Sequence, residues 1–343
     1  MAEGWDTGER RPTITDVAAA AGSSRSVTAR ALRGEGYVAA AVRERVLAAA
    51  EQLGYVPHAM ASSLRSQESR SVGVLVSDLR DPFYANLAAG IAHRARENGY
   101  MMFLVDTRNS AEEELEAART FVGMRVAGVV ATPLTDEISG YFAKQRTPII
   151  EVDRTFSQGR SDSVLVNNAG ASQRVSDLLI ALGHRRIAML TDETNWTTGA
   201  ERFEGYRSSL EAAGLEVDPR LIVTAGSDVE ESRSAVVDLL TGRDRPTAVF
   251  SANGVLAEGL WRAATDLGLR VPDDLSIVSF DDAPWMSMVT PGVTAVAQDT
   301  VAMGEAAMSR LLVRMHEPEA AVQQIVVDAR IVARGSTAAP RPE

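Results

Sequence analysis

The chain contains no cysteine. That excludes disulfides, thiol catalysis and cysteine–metal sites. It has a single lysine, Lys144, against 34 arginines, and few aromatics, 5% of its residues. No apolar run reaches the ~18 residues of a membrane span. The first twelve residues, MAEGWDTGERRP, are polar and lack an apolar signal core. A cytoplasmic protein with no membrane partner is expected on both grounds. No G-x-G-x-x-G follows a strand pattern and no Walker loop is present, so a nucleotide-dependent enzyme has little support. His58, His93, His184 and His316 lack metal-ligand spacing and a partnered nucleophile. We therefore expect no catalytic residue, no metal and no cofactor.

What the chain does have is an uneven charge. Its 343 residues carry a formal net charge of −11. Residues 10–66 hold eight arginines and four acids, net +4, so the remainder carries −15. A basic head on an acidic body is compatible with nucleic-acid binding, where a uniform −11 would not be. The length suggests two or three domains.

The basic stretch reads as three short helices. Thr13-x-x-Asp16 has the outline of a capping box, which opens a helix from about Ile14 to Ala21. Gly22 ends it, at a turn that calls for positive φ. Ser23 or Ser24 caps a second helix, Arg25 to about Arg33, and Gly34 and Gly36 close that one. One tight turn between two helices is the helix-turn-helix pattern. On the second helix Val27, Ala31 and Leu32 fall on an inward arc, while Arg25, Ser26, Ala29, Arg30 and Arg33 fall opposite. Arginines so displayed can pair with guanine edges or phosphates; the alternative is a helical cap whose arginines are merely solvated. A third helix, Val38 to Leu53, places Val42, Val46, Ala50 and Leu53 on one stripe, with Gly54 at its end. The polar, serine-rich run Ser62–Ser71 is expected to be disordered without a partner.

From Val72 onward short apolar runs alternate with amphipathic helices. Strands are expected at Val72–Val76, Met101–Val105, Val126–Ala131, Ile149–Val152, Ile187–Leu190, Leu221–Thr224, Ala248–Ser251, Leu275–Phe280 and Ile325–Val332. Such alternation implies parallel sheets with helices on both faces, and the strand count fits two lobes. Ligands of such folds bind at the carboxyl ends of the strands. The fold class is thus α/β, with an all-α head and hinge before a two-lobed sensor. The expected boundaries are a tail at 1–12, a head at 13–56, a hinge at 57–70 and a sensor at 71–343.

Specific motifs connect these parts. Tyr55-Val56-Pro57-His58-Ala59-Met60-Ala61-Ser62-Ser63-Leu64 resembles the hinge of lactose/galactose-type bacterial repressors, and residues 13–33 resemble that family's helix-turn-helix pattern. Asp81-Pro82-Phe83-Tyr84 is similar to its Asn-Pro-Phe-Phe, and Gly183-His184-Arg185-Arg186-Ile187-Ala188 to its entry into a strand. Ala200-x-Arg202-x-x-Gly205-Tyr206, Val271–Asp282 and Pro291–Gln298 match further family patterns in the same order. Some positions depart. Val27-Thr28-Ala29 stands where the family has Thr-Val-Ser, so the Thr28 hydroxyl needs a partner in what is usually apolar core. Arg33 replaces an asparagine, and Asn253 is followed by Gly254 rather than an aspartate.

The resemblance implies a sensor like the periplasmic sugar-binding proteins, with two lobes joined by three crossovers. It implies a homodimer that sets two heads in successive major grooves of a palindromic operator. The candidate DNA contacts are Thr13, Ser24, Arg25, Ser26, Arg30, Arg33 and Tyr37 in the head, and Ala61 and Leu64 in the hinge, where Leu64 would wedge into the minor groove. The candidate ligand contacts are Phe83, Tyr84, Asp153, Trp196, Thr198, Arg202, Asn253 and Asp281. Asp281 and Asp153 end strands, where a carboxylate can accept hydroxyl hydrogen bonds from a sugar; helix capping or a plain loop acid is the alternative. Arg202 could clamp hydroxyls or a carboxylate. Each aromatic taken alone reads more readily as core, and Trp285 could be pocket rim or lobe packing. Asp228 falls where relatives carry an aromatic lid. The tail after Val332 has no leucine heptads, so a dimer is expected rather than a coiled-coil tetramer. The implied function is a ligand-responsive transcription regulator, a repressor tuned by a small sugar-like effector. A solute-binding protein and an α/β enzyme without a DNA role are the alternatives.

Overall fold

The computed structural model describes Arg10 and residues 12–34, 36–56, 69–157, 159–192, 196–226 and 228–341. The chain divides into two compact units, residues 1–69 and 70–343.

In the first unit, helix α1 (Ile14–Ala20) opens with the expected capping box: the Thr13 amide donates to Asp16 Oδ2 at 2.7 Å, and Asp16 N reaches back to Thr13 Oγ1. Gly22 takes φ +60°. Helix α2 (Arg25–Arg33) is capped by Ser24 and ends on Gly34 in the left-handed region. Helix α3 (Ala40–Gln52) starts later than expected, at Ala39, which offers no side-chain cap. Val17, Ala21, Ala31, Val46, Ala49 and Ala50 make the core. Two expectations need correction. The inward residue of α2 is Thr28, fully buried, while Val27 is only half-buried. Thr28 is tolerated because its hydroxyl donates to the Ser24 carbonyl at 3.0 Å and lies 2.6 Å from Ser23 Oγ. And Leu53 is exposed at the C-cap, its place in the stripe taken by Ala49.

The second unit holds two six-stranded sheets. The first has the order β11-β5-β4-β3-β1-β2, with β1 Ser71–Val76, β2 Met101–Asp106, β3 Val129–Ala131, β4 Ile149–Val152, β5 Asp162–Val166 and β11 Gln324–Val327. The second has the order β12-β10-β9-β8-β6-β7, with β6 Ile187–Thr191, β7 Ile222–Thr224, β8 Ala248–Ser251, β9 Ser276–Phe280, β10 Thr294–Gln298 and β12 Ala329–Val332. All neighbours are parallel except β10 and β12. Ser71, expected at the end of a disordered run, instead begins β1, paired in register with Met101.

Helices α4 (Pro82–Glu97), α5 (Ala111–Gly123) and α6 (Glu137–Lys144) serve the first lobe; α7 (Asn168–Ala181), α8 (Thr197–Ala212), α9 (Val229–Ala235), α10 (Val237–Thr241) and α11 (Gly254–Asp266) serve the second. The chain crosses between lobes three times: after β5, between β10 and α12 (Thr300–His316), and at Asp328 between β11 and β12. The expected single strand Ile325–Val332 is therefore two strands in different sheets. Helices α9 and α10 follow each other directly, with the break at Val236. Strands β5 and β10 lie outside the expected strand ranges. Helix α12 returns to the first lobe and packs on α4 at very close range: a side chain on Gly90 would meet the Val301 carbonyl oxygen at 2.2 Å, and one on Gly304 the Leu87 carbonyl oxygen at 2.2 Å. Two glycines facing each other permit that backbone approach.

Candidate ligand cleft and DNA-reading surface

In the head, Ser24, Arg25, Ser26, Ala29, Arg30 and Arg33 line one shallow groove along α2. Arg25, Ser26, Arg30 and Arg33 are exposed, and Tyr37, just beyond the helix, is 90% exposed. Ser24 Oγ accepts from Val27 N and Thr13 caps α1, so both hydroxyls already serve a helix end. Ala61 and Leu64 lie outside the described residues.

In the sensor, the sheet order repeats from lobe to lobe, and so does the placement of the polar side chains. The carboxyl ends of β4 and β9 occupy equivalent positions. Each ends in an aspartate at positive φ: Asp153 at +71° and Asp281 at +69°. Aspartate enters that region at some cost, and functional sites are where such strain collects. The two carboxylates face one inter-lobe cavity together with Arg202, Asn253, Trp196 and Thr198. Phe83 and Tyr84, from the first turn of α4, complete it, with rings edge to face at 5.0 Å between centroids. The eight candidate ligand residues thus converge on a single cavity.

The same cavity holds three residues absent from the candidate set: Asp81, Arg154 and Asp192. Asp81 was visible within a recognised motif. Arg154 directly follows Asp153, and Asp192 follows β6, so the rule of ligands at strand carboxyl ends points to both.

Arg154 is 1% exposed. Its Nη2 donates to Ser77 Oγ at 2.6 Å and to Tyr84 Oη at 2.7 Å, and its guanidinium lies 4.0 Å over the Trp196 ring. Among the described residues its Nε and Nη1 have no hydrogen-bond partner, and the nearest carboxylate oxygen, Asp153 Oδ2, is 3.7 Å away. Tyr84 and Trp196 hold this arginine as well as lining the cavity. Arg202 is different. Its Nε donates to Asn168 Oδ1 at 2.9 Å and its Nη1 to the Ala252 carbonyl at 2.7 Å, over the Phe280 ring at 3.8 Å, with Asp281 Oδ2 4.0 Å away. Asn253 caps α11 through Leu256 N and donates to Asp192 Oδ2 at 3.0 Å. Gln298 donates to Asp281 Oδ1. Capping is thus shared: Asn253, Asp81 and Asp228 cap helices, but Asp281 caps none and its helix-cap alternative falls away.

Burial governs the electrostatics. It raises the carboxyls of Asp153, Asp192 and Asp281, opposed by the neighbouring arginines. Asp81 is pushed up to about 7, by burial first and then by the charge of Asp281. The space left between these groups is small, about 40 Å³, against ~300–1,000 Å³ for a typical ligand pocket. An outer chamber of about 430 Å³ adjoins it at Asp81, bounded by Trp285, Val229 and Val255. Trp285 rims this outer chamber and lies against Trp261, with ring centroids 6.2 Å apart. His184 is structural, bonded to Thr247, Ser276 and the Ala338 carbonyl. Among the described residues no cluster suited to a metal occurs, and no helix is long and apolar enough to cross a membrane.

A helix-turn-helix head and a two-lobed α/β unit with a polar, arginine-bearing cleft define a ligand-sensing regulator of the DNA-binding class. Residues 13–58 match the model for bacterial regulatory proteins of the lacI family, and residues 176–337 that for a periplasmic binding protein-like domain. The HTH-type transcriptional repressor PurR of Haemophilus influenzae (strain PittEE) is 30% identical over 91% of this chain and 94% of its own. The ribose operon repressor of Haemophilus influenzae (strain KW20 / Rd) is 28% identical over 94% and 98%. A crystal structure of the lac repressor dimer bound to operator and the anti-inducer ONPF superposes with TM-score 0.85 at 26% identity, covering 96% of this chain and 100% of that one. The chain belongs to the lacI family of bacterial regulatory proteins.

Proposed function

We propose that this chain is a transcriptional repressor that binds a palindromic operator as a dimer and answers to a small polyhydroxylated effector seated between its lobes. The observation that carries the effector reading is the cavity at the strand ends: two unspent guanidinium donors on Arg154 beside the carboxylates of Asp153 and Asp281. Sugar hydroxyls both donate and accept, so they satisfy acids and arginines at once. Phe83 and Trp196 offer apolar faces to a ring. The ribose operon repressor and the lac repressor complex, as relatives, support the same reading.

In the mechanism, Arg25 and Ser26 read base edges, with Arg30 and Arg33 beside them, and residues 57–70 act as the hinge. A cavity of about 40 Å³ must open to admit a sugar ring, so entry requires the lobes to part about the three crossovers. The effector biases the hinge only by binding one lobe arrangement better than the other. On this reading the protein works in the cytoplasm, needs no cofactor and performs no chemical step. The test is a gel shift on promoter DNA with and without a panel of sugars. Specific binding that responds to a sugar is expected. Absence of any sequence-specific shift would reject the regulator, and a specific shift that no sugar changes would reject the effector class.

A further inference from the structure

We propose that the effector of this protein carries an ammonium group, as in an aminated sugar, and that Asp81 is the residue that selects it. The inference rests on the polyhydroxylated-effector reading and adds a charge to it. It begins from an imbalance. The inner cavity brings four aspartates against two arginines. Three of the aspartates have a countercharge or an amide beside them: Asp153 has Arg154 at 3.7 Å, beyond hydrogen-bond reach, Asp281 has Arg202 at 4.0 Å and receives the Gln298 amide, and Asp192 receives Asn253 at 3.0 Å. Asp81 has no ion pair among the described residues. One of its oxygens accepts from Phe83 N at 2.9 Å, as the cap of α4, which leaves the other for the cleft.

Its position is equally particular. Asp81 lines the inner cavity, the outer chamber and a third recess of about 70 Å³ that runs back to Gln298. The outer chamber repeats the imbalance, with five acids against Arg80 and Arg262, and both arginines are already bridged to acids, Arg80 to Asp78 at 2.6 Å and Arg262 to Glu258 and Glu230. A ligand entering by this route passes an acidic wall that favours cations. The unspent donors of the buried Arg154 show that the cavity is built for a ligand rather than being an incidental group of acids. The motif that opens α4 reads Asp-Pro-Phe-Tyr where the family pattern reads Asn-Pro-Phe-Phe. An amide donates and accepts; a carboxylate only accepts, and it brings a charge. At this position the carboxylate can take a strong, positively charged donor.

A second readout follows from titration. The groups around Asp81 are the carboxylates of Asp281, Asp153 and Asp78, with Arg154 and Arg202 across the cavity. Its carboxyl is held up at about 7. A bound ammonium requires the ionised form, so affinity for an amine falls as pH drops below about 7. A neutral sugar gains nothing from that charge, and its affinity does not fall over the same range.

The experiment is calorimetry on the full chain at pH 7.5 with matched pairs: D-glucosamine and D-glucose, D-galactosamine and D-galactose, N-methyl-D-glucamine and D-sorbitol. The amine of at least one pair is expected to bind at least about tenfold more tightly than its hydroxyl counterpart. Asp81→Asn should erase that preference while keeping the helix cap, which asparagine supplies as well as aspartate. If neutral members bind as tightly as amines in every pair, the ammonium is excluded and the polyhydroxylated effector stands. If no member of any pair binds, both readings fall. A preference that survives Asp81→Asn, or an amine affinity that does not fall between pH 7.5 and 6, removes Asp81 from the role.

Discussion

The two lobes present the same motif to the cleft and finish it differently. Each offers an aspartate at positive φ and an arginine over an aromatic ring, Arg202 over Phe280 of its own lobe and Arg154 over Trp196 of the other. In the second lobe Arg202 is tied to Asn168 and to the Ala252 carbonyl, so it is a wall fixed before any ligand arrives. In the first lobe Arg154 is buried with two donor nitrogens that no described residue answers. An unsatisfied buried donor costs free energy until something meets it. The second lobe is thus the preformed half of the site, and the first lobe is the half that gains most on binding. This difference gives the lobes a reason to close on a ligand.

We predict that the largest effect in stability comes from the tied arginine. Arg202→Ala strips Asp281 of its countercharge and leaves Asn168 and the Ala252 carbonyl without a donor. The expected loss is about 3–5 kcal/mol, read by urea unfolding of the sensor transition. Arg154→Met should cost less stability, because it also removes two unanswered donors. Its loss should appear in effector affinity instead, at roughly 100-fold by calorimetry, for two charge-assisted hydrogen bonds. A larger stability loss for Arg154→Met than for Arg202→Ala would reverse the assignment of the two lobes. A smaller and differently directed effect belongs to the head. Arg25→Ala should lower discrimination at one half-site base pair by about 1–3 kcal/mol without moving effector affinity. Operator variants with single-base changes check this. Unchanged relative affinities across them would remove Arg25 from base reading.

How much of this was legible follows the same division between local and long-range structure. Helix α2 was readable to the residue because its ends are set locally, by Ser24 as cap and Gly34 in the left-handed region. Its inward face was misjudged at one position: periodicity favours valine over threonine, and the Ser23 and Ser24 oxygens that let Thr28 replace Val27 inside are a tertiary detail. In the sensor, motifs located Asp153, Arg202, Asn253 and Asp281, and the fold brings all four together. Arg154 and Asp192 were passed over although both lie just past the carboxyl ends of β4 and β6; that those two ends meet at one cavity shows only in the folded chain. Ile325–Val332 looked like one strand because local pattern says nothing about which sheet a strand joins; here Asp328 separates two. The unanswered donors of Arg154 are visible only in three dimensions.

The central claim is that occupancy of the cleft sets operator affinity. Asp281→Asn tests it most directly, since asparagine tolerates the left-handed backbone at that position while losing the charge that faces Arg202. The measurement is the ratio of operator affinities with and without a saturating sugar or aminated sugar that binds the wild-type chain, by fluorescence anisotropy at fixed salt. For the wild type the ratio should differ from one by about 5- to 150-fold, the usual range of allosteric coupling. For Asp281→Asn at the same ligand concentration it should collapse towards one. A variant that keeps the wild-type ratio at that concentration would show that the switch does not run through this cleft.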